Sequence, residues 1–390
     1  MIRIKAGAPD RARLRTTARE PAHPGVRLRD DLGRSVRRSD RPPLRRALSL
    51  GLPTVWGAIA LTYRMTCPLD AQEGLVPRMV AGAVFFAVGT GLILHVRWTL
   101  LKELRQVREV AGAAQSVLLR PLPPRVDGLN VAAAQVSAHR GADIGGDLYE
   151  VIATEHGVRI VMGDVRGHGL GALATVAAVL GSFREAAHDE PSLGRVLGRL
   201  DRALARHLRE RAKAEHPATG PDPESPVAEE FVTVLLLEIR RDGEVYALNC
   251  GHPWPYRLPG HPVTPGGHGR VERLSAAKPL PPLGPFPLPP ELPLVPCGQL
   301  APGEGLFLHT DGVEDARDGH GRFFPLASAL TDAVRIPPVA PQFVLHSVLK
   351  GLLRHTRGRP DDDVAVLVLR NDRPRTPVRQ DRPVAHHVPR

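Results

Sequence analysis

Cysteine is nearly missing from this chain: Cys67, Cys250 and Cys297 lie far apart, with no CxxC pair among 390 residues. Neither a disulfide framework nor a thiolate zinc site can be written from them, and a reducing compartment is expected. Aromatic side chains make up only 4%. The 38 Gly and 40 Pro follow no strict period, which excludes a collagen-like chain and assigns the excess to loops and tails. No internal repeat is present. With 42% apolar and 24% charged residues, the chain can bury a core, so disorder throughout is excluded, and its length suits one large domain or two ordinary ones.

Acidic residues are scarce at the N-terminus. Residues 1–46 hold 14 Lys/Arg against 5 Asp/Glu, which is +9 of the formal +11, so the remaining body is near neutral. A basic, disordered arm of this kind suits nucleic acid or the cytoplasmic flank of a membrane segment. The arm contains no interleaved aromatics, and the apolar stretches beyond residue 46 favour the membrane. No nucleic-acid partner is expected.

Two uncharged apolar stretches, 47–63 and 79–96, have 17 and 18 residues, near the lower limit for crossing a hydrocarbon core of about 30 Å. Arg41, Arg45 and Arg46 precede them, and Arg97, Lys102, Arg105 and Arg108 come after, whereas the short connection carries Asp70 and Glu73. The positive-inside rule then predicts a two-helix membrane hairpin over 47–96, in contact with lipid and with both chain ends cytoplasmic. The competing reading is a buried hairpin of a soluble domain, favoured by the short spans and Pro53. A cleaved signal peptide is disfavoured because the first apolar run begins near residue 47.

A linker helix is expected within 97–124, with Leu104, Val107, Ala111, Ala114 and Leu118 at helical steps before Pro121, Pro123 and Pro124. Two heptads leave open whether it packs on the next domain or pairs two protomers into a homodimer. From 125 to 370 the pattern is that of an α+β domain. β-like runs fall at 147–153, 158–164, 231–239, 244–250, 306–310 and 364–369, and helical patterns at 168–188, 193–214 and 340–356. The segments 216–228 and 253–302 read as mobile surface loops, and 371–390 as a disordered tail.

The chemistry gathers on acidic residues beside glycine or at strand ends: Asp147 in GGDLYE, Asp164 in GDVRGHG, Asp311 in HTDGVEDA, and Asp361–Asp363 before the last strand. Taken singly, each reads as a turn residue or a helix cap. Four such points converging on one sheet edge repel one another and call for a cation. Oxygen ligands without thiolates or paired histidines point to magnesium or manganese.

The ordered set GGDLYE, GDVRGHGLGA, NCGHPWPYRL, HTDGVEDARD and DDDVAVLVL resembles the PPM-type metal-dependent serine/threonine protein phosphatases, in their bacterial SpoIIE-like and RsbU-like branch. The lead-in AAQSVLLRPLPP is similar too. The resemblance implies an α-β-β-α sandwich of two antiparallel sheets flanked by helices and holding two Mn²⁺ or Mg²⁺ ions. Carried over, Asp164 bridges both metals, the backbone carbonyl of Val165 binds one, Asp311 and Asp362 complete the other, and Asp147 acts directly or through water. The run 361–363 can slip by one, and Asp362 is preferred.

The resemblance further implies attack by a metal-bound water, so no Ser or Cys nucleophile is needed. Asp164 and Asp311 are then essential for catalysis, with His168 a candidate proton donor that otherwise caps a helix. Arg140 is a candidate phosphate contact that otherwise reads as a solvated surface residue. Gly167 and Gly169 suit a tight turn, and His252 reads as structural. Glu150 stands where the branch often has Asp. The implied substrate is a phosphoprotein such as an anti-anti-sigma factor in partner-switching signalling. An alternative is a catalytically inactive scaffold that binds a phosphoprotein, which missing metal aspartates would favour; all are present.

Overall fold

The computed structural model describes residues 3–4, 75–137, 145–167, 169–215, 230–260, 270–335 and 339–374. The apolar stretch 47–63, the loop 216–228, the tail from 375, Arg140 and His168 lie outside them. Two compact units divide the chain, Pro9–Val107 and the combination of Met1–Ala8 with Arg108–Arg390.

Helix α1, Leu75–Leu118, runs as one helix of 44 residues, so the second apolar stretch and the linker are a single element without a break near Arg97. It ends at Leu118, ahead of the first proline. Within it, Gly82–Glu103 has a mean hydropathy of 1.6 and none of its apolar window buried, which by length and composition is enough to cross a membrane.

Among the described residues, the larger unit has twelve strands, all pairing antiparallel. They are β1 (Arg3–Ile4), β2 (Arg125–Val126), β3 (Leu129–Val136), β4 (Asp147–Thr154), β5 (Gly157–Val165), β6 (Val232–Ile239), β7 (Glu244–Cys250), β8 (Tyr256–Leu258), β9 (Glu272–Arg273), β10 (Val295–Gln299), β11 (Gly305–His309) and β12 (Val364–Asn371). One sheet has the order β10-β7-β6-β5-β4; the other has β1-β3-β12-β11-β8-β9, with β2 hairpinned onto β3 through Asp127 and Gly128, both at positive φ. Helices α2 (Leu170–Asp189) and α3 (Leu193–Glu215) cover the first sheet; after the short α4 (Asp311–Glu314), α5 (Leu326–Ala333) and α6 (Pro341–His355) cover the second. The α-β-β-α sandwich expected from the resemblance is the fold observed.

Side-chain alternation assigns the main cores among the described residues. In β5, Val161 and Val165 face α2 and α3, while Val158, Ile160 and Met162 face the opposing sheet together with Leu235, Leu308 and Leu367. Val344, Val348 and Leu352 of α6 close the far side over Val366 and Val368.

Three expectations are corrected. The stretch 253–302 carries β8, β9 and β10 and buries Trp254, Tyr256, Leu283 and Leu300, so its described part is integral to the sandwich. In the N-terminal arm, Arg3 and Ile4 pair with Gln135 and Ala134 of β3. The tail begins later than expected: Asn371 ends β12, the Asp372 N–H donates to the Gly128 carbonyl, and Arg373 Nε donates to the Asp127 carbonyl at 2.8 Å.

One buried cation locks α2 to the first sheet. Arg159, fully buried in β5, donates to Glu238 at 2.9 and 3.0 Å and to the carbonyls of Ala187 and Glu190 at the end of α2. Removing one partner of such a pair strands the other charge in the core, a cost of about 3–5 kcal/mol. Arg159→Ala is therefore expected to lower the denaturant midpoint strongly, and Arg159→Ala/Glu238→Leu to recover part of the loss in the same urea titration.

Candidate metal centre

Alternation along β4 and β5 also builds the site. Asp147 shares the inner face with Tyr149 and Val151, Asp164 shares it with Met162 and Ile160, and the register sets Asp147 opposite Asp164 and Asp164 opposite Thr233. The two carboxylates thus end one sheet side by side. From the other sheet, β11 runs out through Thr310 into α4, which begins at Asp311, and β12 is entered from Asp362 and Asp363. A cleft of about 230 Å³ opens where these ends meet, lined by Asp164, Asp311, Asp362 and Asp363, the Val165 backbone, Arg166 and Phe231.

Glycine is required where the acidic segments touch. A Cβ on Gly146 would run into the Val165 carbonyl and Asp164 Oδ1, and one on Gly312 into the Asp363 carbonyl. Gly167 and Gly169 hold positive φ values of 106° and 87° with open space around them, so the turn into α2 needs their conformation rather than their small size.

Electrostatics point the same way. Asp164 is pushed up to about 8, first by burial and then by Asp311, Asp362 and Asp363. Asp147 is held well above the usual carboxylate range, first by burial, then by Asp164 and Asp363; its Oδ2 is buried with no hydrogen-bond partner among the described residues. Asp311 is raised by burial and by Asp362. Asp164 thus feels Asp311, Asp362 and Asp363 together, and Asp147 feels Asp164, Asp363 and Asp311. Asp363 also accepts a bond of 3.0 Å from Ser137 Oγ, while Asp361 is exposed and outside the cleft lining.

A second layer steadies Asp164. Its N–H donates to Thr233 Oγ1 at 3.2 Å, and that hydroxyl lies 3.1 Å from His252 Nδ1. His252 is pinned by reciprocal 2.8 Å bonds with Asn249 and is pushed down to about 3, chiefly by burial, so it stays neutral. Glu150 faces the helices instead, paired with Arg184 at 2.6 Å, so its extra methylene does not reach the cleft. Cys250 and Cys297 are buried, with thiols pushed up to about 12 and 11 by burial.

The donor set suits hard divalent cations. The donors are oxygens alone, several carboxylates repel across one cleft, and one buried oxygen is orphaned. Among the described residues no three acidic, histidine or cysteine side chains stand close enough together to hold a metal ion as they are placed.

The family described as Stage II sporulation protein E (SpoIIE) matches residues 154–372, more than half of the chain. The chain belongs to the SpoIIE family. Members of this group are PPM-type phosphatases, in agreement with the five sequence motifs. Among solved structures, the SiaA-PP2C domain of Pseudomonas aeruginosa is 20% identical with a TM-score of 0.49, covering 70% of this chain and 98% of its own. The RsbU and RsbW domains of Rv1364c from Mycobacterium tuberculosis are 22% identical, TM-score 0.47, with 64% of this chain and 62% of theirs covered. The phosphatase domain and regulatory-domain fragment of SpoIIE from Bacillus subtilis is 16% identical, TM-score 0.45, covering 63% and 64%. The chain thus spans less than two thirds of two of these three.

Sequence reasoning missed Arg166 and Thr233. Arg166 lies over the Phe231 ring at 5.4 Å, and its N–H donates to the Phe231 carbonyl, which holds a guanidinium at the cleft mouth. It sits between two named residues of GDVRGHG, and only the β5–β6 register reveals its support.

Proposed function

We propose that this SpoIIE-family chain is a metal-dependent protein phosphatase that hydrolyses phosphoserine and phosphothreonine esters on a partner protein. The observation that carries this reading is that Asp164, Asp311, Asp362 and Asp363, from both sheets, line one cleft, with Asp147 buried opposite Asp164 in the strand register. Asp164 would hold both ions, with the Val165 carbonyl on one and Asp311 and Asp362 on the other; Asp147 and Asp363 would support the remaining side. Two Mn²⁺ or Mg²⁺ ions in such a site supply a water of lowered pKa and offset charge on the phosphoryl oxygens.

The chain's own groups complete the work. Arg166, and Arg140 from outside the described residues, are suited to bind phosphoryl oxygens by charge-assisted hydrogen bonds. His168 is the proposed donor of a proton to the departing serine or threonine oxygen. Neither cysteine takes part, since neither thiol is ionised near neutral pH. The Thr233–His252–Asn249 chain orients the end of β5 and keeps Asp164 in place. The proposed substrate is a phosphorylated anti-anti-sigma-like regulator, and the proposed setting is the cytoplasmic face of a membrane anchored through 47–96.

Phosphate release from a phosphoserine peptide by the purified full-length chain tests the proposal. Turnover is expected with Mn²⁺ and is expected to vanish in EDTA. A folded, Mn²⁺-binding chain without turnover would favour a phosphoprotein-binding scaffold instead.

A further inference from the structure

The longest helix of the sandwich, α3, carries its cations in a line. Arg195, Arg199, Arg202, Arg206, Arg209 and Lys213 succeed one another at steps of four, three, four, three and four residues. At about 100° per residue they fall within an arc of about 80° and extend over about 27 Å. Five are exposed and Arg199 is half-buried. The opposite face, with Val196, Leu197, Leu200 and Leu204, is fully buried. This helix has seven Lys/Arg against three Asp/Glu, a larger positive excess than the whole of residues 47–390.

Among the described residues, the line is neutralised at one end only. Arg195 and Arg199 lie 3.6–3.8 Å from Asp189 and Glu190 at the end of α2. Arg202, Arg206, Arg209 and Lys213 have no ion-pair partner among the described residues, and Arg209 turns back to its own helix at the Ala205 carbonyl. Beside these cations, α2 and α3 enclose a groove of about 420 Å³. Its floor is made of small residues such as Ala177, Gly181 and Ala203, and two acids, Glu185 and Glu210, stand among the arginines. His207 borders it too, its Nε2 buried without a hydrogen-bond partner among the described residues.

We propose that this face docks an acidic α-helix of a partner protein. Three features select that occupant. The cations repeat at the spacing with which a helix presents side chains along one face, so a parallel or antiparallel acidic helix meets them in register. The small-residue floor admits side chains from a helix lying in the groove, whereas a flat bilayer surface would not enter it. Glu185 and Glu210 repel a continuous phosphate lattice, but a protein helix can answer them with a lysine or arginine of its own. The surface lies between the outer helices and shares no residue with the acidic cleft, so the inference does not depend on catalysis.

The test uses the full chain in neutral detergent and a fluorescent 21-residue synthetic helix with glutamate at alternating three- and four-residue steps. Binding by anisotropy is expected in the micromolar range at 50 mM salt and is expected to weaken at least tenfold in Arg202→Glu/Arg206→Glu, which should instead take the lysine counterpart of the peptide. Gly181→Leu, at a position with open space around its Cβ, should weaken binding at least fivefold by filling the groove. All variants should keep the thermal midpoint and phosphoserine turnover of the parent. Failure of the glutamate helix to bind, equal binding by the reversed variant, or indifference to Gly181→Leu would overturn the proposal. So would capture of phosphatidylserine vesicles in place of the peptide.

Discussion

Asp164→Asn is expected to raise, not lower, the thermal midpoint of the metal-free chain. The carboxyl of Asp164 is pushed up to about 8 by burial and by the charges of Asp311, Asp362 and Asp363. A carboxyl whose folded value lies above its unfolded one contributes its full stability below the unfolded value, near 4, and loses it as pH rises toward 8. The asparagine removes that loss. Its advantage is therefore small at pH 5 and full at pH 8, on the order of 1–2 kcal/mol, and each kcal/mol moves the midpoint of a domain this size by about 2–4 °C. In excess Mn²⁺ the order should reverse, since the parent gains binding energy that the variant cannot. Calorimetric scans at both pH values, in EDTA and in Mn²⁺, check all four expectations. A metal-free midpoint that falls on substitution would mean that the carboxylate is held by partners rather than strained by neighbours.

Asp311→Asn and Asp362→Asn are expected to lower phosphoserine turnover by roughly a thousandfold, with Asp361→Asn within about twofold of the parent. The difference comes from placement. Asp311 and Asp362 line the cleft and act on Asp164, whereas Asp361 is exposed beyond it. Asp363→Asn is expected to be as severe as Asp362→Asn, because it sits against both Asp147 and Asp164 and takes the Ser137 bond. Steady-state rates under saturating Mn²⁺, with circular dichroism to verify folding, provide the comparison.

Much of this architecture is written in local patterns. The runs at 147–153, 158–164, 231–239, 244–250, 306–310 and 364–369 each coincide with an observed strand to within a residue or two, because continuous apolar runs between turn residues suit strands buried on both faces. The acidic residues were legible because each stands beside glycine or at a run's end. β3 was not legible: its LNVAAAQV is rich in alanine, a weak strand former, and only the Asp127-Gly128 turn before it marks a hairpin.

The strands within 253–302 were concealed by their prolines, which read as loop, although Trp254 and Tyr256 become buried through contacts distant in sequence. The same limit applies at the site. Arg159 inside the apolar run VRIVMGD was the one visible sign of a buried ion pair, and its partner lies 79 residues away. Thr233 supports Asp164 only through the register of β5 on β6. Which acid of the 361–363 run enters the cleft depends on where β12 begins, and Val364 as its first residue brings both Asp362 and Asp363 to the opening.

The most direct measurement of the central claim is a calorimetric titration of Mn²⁺ into the metal-free chain at pH 7 in two buffers of different ionisation enthalpy. Two ions should bind per chain, with net release of protons, because raised carboxyls must ionise to accept them. In Asp164→Asn both binding steps should be lost or weakened at least a hundredfold. Absence of Mn²⁺ binding in the parent, or undiminished two-ion binding in Asp164→Asn, would contradict the proposed site in which Asp164 and its neighbouring aspartates hold a metal pair.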